Sequence, residues 1–195
     1  MRPRPLSTIL AAALVMWTLG SALSFSAACA RGTGERGDMP NDDAANTFGA
    51  AAGVRIDQPT VAASLKTAPS AAPLRQALRS AGQVRLALGG ITVSRPPGVL
   101  FNIYLATAGP HPQRQYVGTL SFFGVERAGT FKLPERSFDV TEPLKALLGK
   151  GDALPDLQVV FEATDGTAGS TVAKAAPSFN RDSGLKVGTV RLQSP

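Results

Sequence analysis

The feature that most constrains the fold is an alternation of apolar and polar residues that returns in short runs along the chain. In VLFNIYL (99–105), one face of an extended strand would carry four apolar side chains, from Val99, Phe101, Ile103 and Leu105. A period of two residues is typical of a half-buried β-strand. The same period appears in VRLAL (84–88), YVGTLSFF (116–123), LQVVFEA (157–163) and KVGTVRL (186–192). These runs predict an all-β chain.

Two neighbouring runs are expected to form a hairpin. Strict alternation in YVGTLSFF places Tyr116 on the face of Gly118 and Leu120, and Phe123 on the opposite face. Between this run and VLFNIYL lies GPHPQ (109–113), which contains the single histidine of the chain, His111. Because prolines flank His111, the segment is typical of an exposed turn.

Helical signals are few. In FDVTEPLKALLGKG (138–151), Asp139 and Thr141 are candidate helix caps, and Pro143 is tolerated in a first turn. The Ala-rich segment 68–82 can hold one helical turn, and Ser170–Lys174 in the long loop 164–184 is expected to add a short edge strand. Short strands with one clear helix predict an antiparallel β-sandwich.

The N-terminal residues 1–30 have the layout of an export signal, with arginines, an apolar run and then small residues. Two modes of processing are open. Ala28-Cys29-Ala30 fits ordinary cleavage after Ala30, whereas Ser26-Ala27-Ala28-Cys29 is similar to a bacterial lipobox with Cys29 as the lipidated residue. Residues 31–46 are polar without an apolar period, which predicts a flexible tether. The sequence therefore predicts a periplasmic or outer-envelope location, with a lipid anchor or as a secreted protein.

The inventory of residues argues against several kinds of chemistry. One histidine and one cysteine, Cys29, do not supply a zinc or copper site. Removal of Arg2 and Arg4 with the signal lowers the formal charge from +6 to +4. The remaining cations are scattered in sequence and not interleaved with aromatic residues, so nucleic-acid binding is not expected. No Gly-x-Ser-x-Gly elbow or nucleotide fingerprint is present.

Hydrolysis by a pair of carboxylates is the reading of the sequence that we rank last. The acidic residues that would have to supply them are Glu126, Glu135, Asp139, Glu142, Asp156 and Glu162. Asp139 is more simply a helix cap, and Glu162 belongs to the polar face of a strand. The sequence therefore predicts a chain that is not an enzyme and has no cofactor.

Three phrases together resemble a known family. RPPGVLFNIYLA (95–106), QYVGTLSFFGVE (115–126) and SFDVTEPLKALL (137–148) occur in this order before a final KVGTVRLQ. In order and spacing they resemble the C-terminal domain of bacterial tyrosinases, related to the plant polyphenol oxidase domain named for a Lys-Phe-Asp-Val motif. Here that motif is Ser137-Phe138-Asp139-Val140, with serine in place of lysine. The likeness covers about residues 47–195.

This resemblance implies a jelly-roll-like sandwich that covers the copper site of an oxidase, often with a bulky side chain at its entrance, and that can assist maturation of the enzyme. The copper domain itself is missing from this chain. The expected function is therefore a non-catalytic partner of a separately encoded copper oxidase. Tyr104 and Phe123 are the candidate blocking residues, although the chain contains no motif that matches the family's blocking group.

An alternative reading is a freestanding envelope lipoprotein with a structural or ligand-binding sandwich. It depends on the lipobox-like segment ending at Cys29 and on the tether that follows. Membrane attachment through lipidated Cys29 is compatible with either reading.

Overall fold

The computed structural model describes residues 47–67, 70, 72–80, 82–125, 129–148, 155–167 and 169–195. The predicted signal with Cys29, the tether and Glu126 lie outside the described residues. The strands, in chain order, are β1 (Thr47–Arg55), β2 (Thr60–Ser64), β3 (Lys66–Thr67), β4 (Arg85–Gly89), β5 (Thr92–Val93), β6 (Leu100–Thr107), β7 (Arg114–Leu120), β8 (Phe131–Lys132), β9 (Arg136–Asp139), β10 (Leu157–Thr164) and β11 (Lys186–Gln193).

These strands form two antiparallel sheets, which confirms the predicted sandwich. Sheet A has the order β3-β1-β11-β4-β9, with β5 paired to β11 and β8 paired to β5. Sheet B has the order β2-β10-β6-β7. The inner faces of both sheets contribute to one hydrophobic core.

The alternation predicted for β6 and β10 is present. In β6, Phe101, Ile103 and Leu105 are fully buried, whereas Asn102 and Tyr104 are partly exposed. The apolar residues of β10 pair with them across the sheet, as with Phe161 opposite Ile103. The centre of sheet B therefore follows the two-residue period of its sequence.

The prediction of strict alternation is wrong for β7. Ile103 pairs with Gly118 but the next residue, Tyr104, pairs with Tyr116, so Val117 is an extra residue in the strand. Such a bulge reverses the facing of the residues on one side of it. Tyr116 consequently lies on the outer face of sheet B beside Tyr104.

The alternation expected for β11 also changes phase. Val187 is buried, but so are Val190 and Leu192. Lys186 pairs with β5, whereas residues from Thr189 onward pair with β4. Between these pairings the Gly188 N–H donates to the carbonyl oxygen of Gly90 at 3.2 Å. This break between two partner strands accounts for the change of facing.

Three α-helices are present in the described residues: α1 (Ala72–Arg79), α2 (Thr141–Leu148) and α3 (Val172–Ala175). Helix α1 lies in the Ala-rich segment, and α2 covers the core with buried leucines. The prediction of an edge strand at Ser170–Lys174 is wrong, because α3 lies in that segment. The Thr171 side chain accepts a hydrogen bond from the Lys174 N–H, which caps this helix.

The Ser137–Val140 motif connects the two sheets to α2. Phe138 lies on β9 of sheet A and its ring packs against Gly118 of sheet B, where an added Cβ would lie 2.6 Å from two ring carbons. The Asp139 carboxylate accepts from the Thr141 N–H at 2.9 Å and from the Thr141 hydroxyl at 2.6 Å. These hydrogen bonds, led by that from the hydroxyl, lower the pKa of Asp139. Thr141 also accepts from the Val84 N–H at 3.0 Å.

Candidate protein-contact surface

The turn after β7 projects an aromatic side chain into solvent. Phe123 is 99% exposed, although Phe122 before it and Val125 after it are buried. The Val125 N–H donates to the Phe122 carbonyl oxygen at 3.1 Å, and Gly124 has a φ of 89°. Phe122 packs edge-to-face on Phe101, with ring centroids 6.2 Å apart. The turn is therefore anchored in the core on both sides of Phe123.

Phe123 borders a groove of about 330 Å³ at one end of the sandwich. Its wall includes Pro96, Pro97 and Phe122. Asn180 holds the proline segment, because its side-chain amide donates to the Pro96 carbonyl at 3.0 Å and its N–H donates to the Pro97 carbonyl at 2.8 Å. The groove is consequently a formed feature of the fold.

One acidic residue lies at the rim of this groove. The hydroxyl and the N–H of Thr167 donate to the Asp165 carboxylate at 2.7 and 2.9 Å. Hydrogen bonds from the Thr167 hydroxyl, then Ser170, then the Thr167 N–H lower the pKa of Asp165 to about 2. Asp165 therefore carries a negative charge at neutral pH.

Tyr104, the second candidate blocking residue, does not project. It is half-buried on the outer face of sheet B, edge-to-face with Tyr116 at 5.8 Å. The Arg114 guanidinium lies over the Tyr104 ring, 5.5 Å from its centroid, and pairs with Glu162 of β10. The two candidates therefore differ in exposure, since Tyr104 packs against side chains of its own sheet and Phe123 is exposed.

Tyr116 is a second exposed aromatic residue, and the sequence did not indicate it as a surface residue. It is 55% exposed, and its hydroxyl is 2.9 Å from the Thr119 hydroxyl, which donates to the Asn102 side chain at 2.8 Å. The bulge at Val117 places it outside, and the local period carries no sign of that bulge. In contrast to Phe123, its ring is bound to its neighbours.

The residues considered for catalysis are dispersed. His111 is exposed in the β6–β7 turn. Three of the carboxylates form ion pairs: Glu162 with Arg114, Glu135 with Arg191 and Glu142 with Lys145. In the part of the chain that the structure describes, no group of three or more His, Cys, Asp or Glu residues could hold a metal ion.

None of the helices among the described residues has the length and apolar character needed to cross a membrane. A scan against protein-family models finds no match to this chain, and a search of curated proteins finds no relative. What the fold and the surface define is an antiparallel β-sandwich that presents an anchored aromatic turn.

Proposed function

We propose that this chain is a non-catalytic, exported domain that docks on a separately encoded copper oxidase of the tyrosinase type and places Phe123 at the entrance of its copper site. The observation that carries the proposal is the full exposure of Phe123 on a turn held by two buried neighbours. The sequence resemblance supplies the class of partner.

The energetics of Phe123 favour a contact role. Burial of a phenylalanine side chain contributes about 2 kcal/mol, which corresponds to about a 30-fold change in Kd. An aromatic side chain on a preformed turn loses little conformational entropy on docking, and aromatic residues are common anchors at protein interfaces. Phe123 and the proline-lined groove beside it therefore supply an anchor and a receptor for the partner's own side chains.

Copper belongs to the partner in this proposal. The chain contains one histidine, His111, and it lies in an exposed turn. The domain acts through shape, by covering an entrance and by stabilising the oxidase during maturation.

The test uses the full chain as bait in an extract of the source cell. Wild-type bait should retain a copper oxidase, and Phe123→Ala bait should retain about 30-fold less at limiting concentration. Tyr116→Ala is the matched control, because it removes the other exposed aromatic side chain and should bind like the wild type. Wild-type bait that retains no copper oxidase would contradict the proposal.

A second measurement tests the covering role. Addition of the wild-type chain to the captured oxidase should slow phenol oxidation, and Phe123→Ala should slow it less. Equal inhibition by both proteins would show that Phe123 is not the group at the entrance.

The envelope-lipoprotein alternative depends on Cys29. Labelling of growing cells with a radioactive fatty acid should mark the wild-type chain and leave Cys29→Ser unlabelled if the segment is a lipobox. An unlabelled wild-type chain would remove the anchor and leave ordinary export.

A further inference from the structure

Five cations from separate segments of the chain lie at one end of sheet A. We call them the basic end: Arg55, Arg95, Lys132, Arg181 and Lys186. In sheet A, Arg55 pairs directly with Lys186, Lys186 pairs with Thr92, and Thr92 pairs with Lys132. Directly paired residues of neighbouring strands share one face of a sheet. Three of the five cations therefore form a row on the outer face of sheet A.

This arrangement is unfavourable for the isolated chain. Like charges directly opposite each other on paired strands destabilise a sheet, and Arg55 and Lys186 are such a pair. Asp57 lies 3.4 Å from Arg55 in an exposed ion pair that offsets only part of the repulsion. Among the described residues, no carboxylate forms a salt bridge with Arg95, Arg181 or Lys186. The basic end thus has capacity for further negative charge.

Three arginines of the basic end also line a hollow. Arg55, Arg95 and Arg181 border a polar depression of about 520 Å³, together with Asp182. The Ser94 and Arg95 N–H groups both donate to the buried Ser183 carbonyl, at 2.7 and 3.0 Å. These hydrogen bonds hold the two segments that carry Arg95 and Arg181 against each other.

The hollow and the Phe123 groove are lined by adjacent residues of the chain. Arg95, in the hollow, is followed directly by Pro96 and Pro97, in the groove. Asn180, which holds those prolines, directly precedes Arg181. The groove beside the aromatic turn and the basic end are therefore neighbouring parts of the fold.

We infer that the basic end binds carboxylates on the partner protein, beside the pocket that receives Phe123. The inference rests on the proposed function and adds the chemistry of the partner, which must carry an acidic rim. Guanidinium groups pair with carboxylates through two parallel hydrogen bonds, and arginine is enriched with aromatic residues at protein interfaces. Complementary charge also accelerates docking and fixes its orientation.

The alternative source of negative charge, an anionic lipid surface, fits the same cations less well. Asp165 is charged at the rim of the Phe123 groove, and a uniformly anionic lipid surface would bring phosphates against it, whereas a protein can carry its carboxylates opposite the basic end alone. Phe123 also lies beside a concave groove, which suits a protein surface that can fill it. These two observations favour a protein partner.

The probe for the test is poly-L-glutamate, bound to the full chain and measured by fluorescence anisotropy in low salt and in about 0.3 M NaCl, where surface charges are strongly screened. Arg95→Ala/Arg181→Ala should weaken binding at least tenfold and reduce its dependence on salt. Arg79→Ala/Arg136→Ala is the matched control, because it removes the same charge from exposed positions outside the basic end, and it should bind within twofold of the wild type. Thermal melts of both variants check that the fold is kept.

Equal weakening by both arginine pairs would overturn the inference, because net charge alone would then explain binding. Tighter association with vesicles of phosphatidylcholine and phosphatidylglycerol than with poly-L-glutamate, lost in Arg95→Ala/Arg181→Ala, would also overturn it in favour of a lipid surface.

Two outcomes separate this inference from the proposed function. Selective loss of poly-L-glutamate binding, with no copper oxidase captured by the wild-type bait, supports the basic end and contradicts the proposed partner. Capture of a copper oxidase that is equally strong with Arg95→Ala/Arg181→Ala contradicts the basic end alone.

Discussion

Replacement of Gly118 by alanine should lower the free energy of unfolding by about 1–2 kcal/mol, because two opposing effects act at this position. The new Cβ would lie 2.6 Å from Cδ1 and Cε1 of Phe138. Carbon atoms in contact prefer about 3.5–4.0 Å, so the ring must move by about 1 Å. Overpacking of this kind costs about 1–3 kcal/mol, whereas removal of a flexible glycine from the unfolded chain stabilises by about 0.4–1 kcal/mol. The clash is the larger effect.

The assay is urea denaturation followed by fluorescence or circular dichroism, with a thermal melt beside it. A loss of this size in a domain of this length lowers Tm by about 3–6 °C. A double-mutant cycle with Phe138→Ala assigns the cause, because in that background the ring that the new Cβ would meet is absent. Gly118→Ala should then cost at least about 1 kcal/mol less than in the wild type. Additive effects of the two changes, to within about 0.5 kcal/mol, would refute the contact as the cause.

Three further results are expected from stability measurements. Asp139→Ala should lower the free energy of unfolding by about 1 kcal/mol at pH 7, because the Asp139 carboxylate accepts two hydrogen bonds from Thr141 at the start of α2. Since the folded-state pKa of Asp139 is lowered, this advantage of the wild type should be complete above about pH 5 and should disappear on acidification. Urea midpoints that differ from the wild type by the same amount at about pH 7 and about pH 2.5 would contradict this. Phe122→Ala should lower the free energy of unfolding by about 3 kcal/mol, because its ring is buried. Phe123→Ala removes the exposed neighbouring ring and should change the free energy of unfolding by less than about 0.5 kcal/mol. Equal losses would show that the turn is not arranged as described. Gly98→Ala should lower the free energy of unfolding by more than about 2 kcal/mol, because the residue has a φ of 75° and the new Cβ would clash with the Ser178 carbonyl oxygen. A thermal melt like that of the wild type would exclude this geometry.

The centre of sheet B could be predicted from sequence because its strands are regular. Along β6 and β10 the pleat has a period of two and one face is buried, so the residues that face the core repeat at that period. The exposed turn at His111 followed from the same local reasoning, since prolines on both sides exclude a continuous strand. Where local geometry decides the structure, the residue pattern is sufficient.

The outer surface could not be predicted in the same way, because it depends on pairing between distant segments. The bulge at Val117 is defined by its partner strand, and it decides that Tyr116 faces outward. Phe123 was a candidate on the polar face of a strand, but β7 ends at Leu120 and the side chain extends from the following turn. The basic end could not be predicted from the sequence either, since Arg55 and Lys186 become neighbours only when β1 pairs with β11.

The position of β11 has a consequence for the order in which the domain can be completed. This strand is the last of the described strands in the chain, yet it lies between β1 and β4 in sheet A. Until β11 has been synthesised, no strand joins the β1–β3 pair to the β4–β9 pair, so the two pairs cannot form one continuous sheet. Long-range pairing of this kind is slow to form. Sheet A therefore cannot be completed until translation of this segment is finished, and chaperones have that time to bind its unpaired strands.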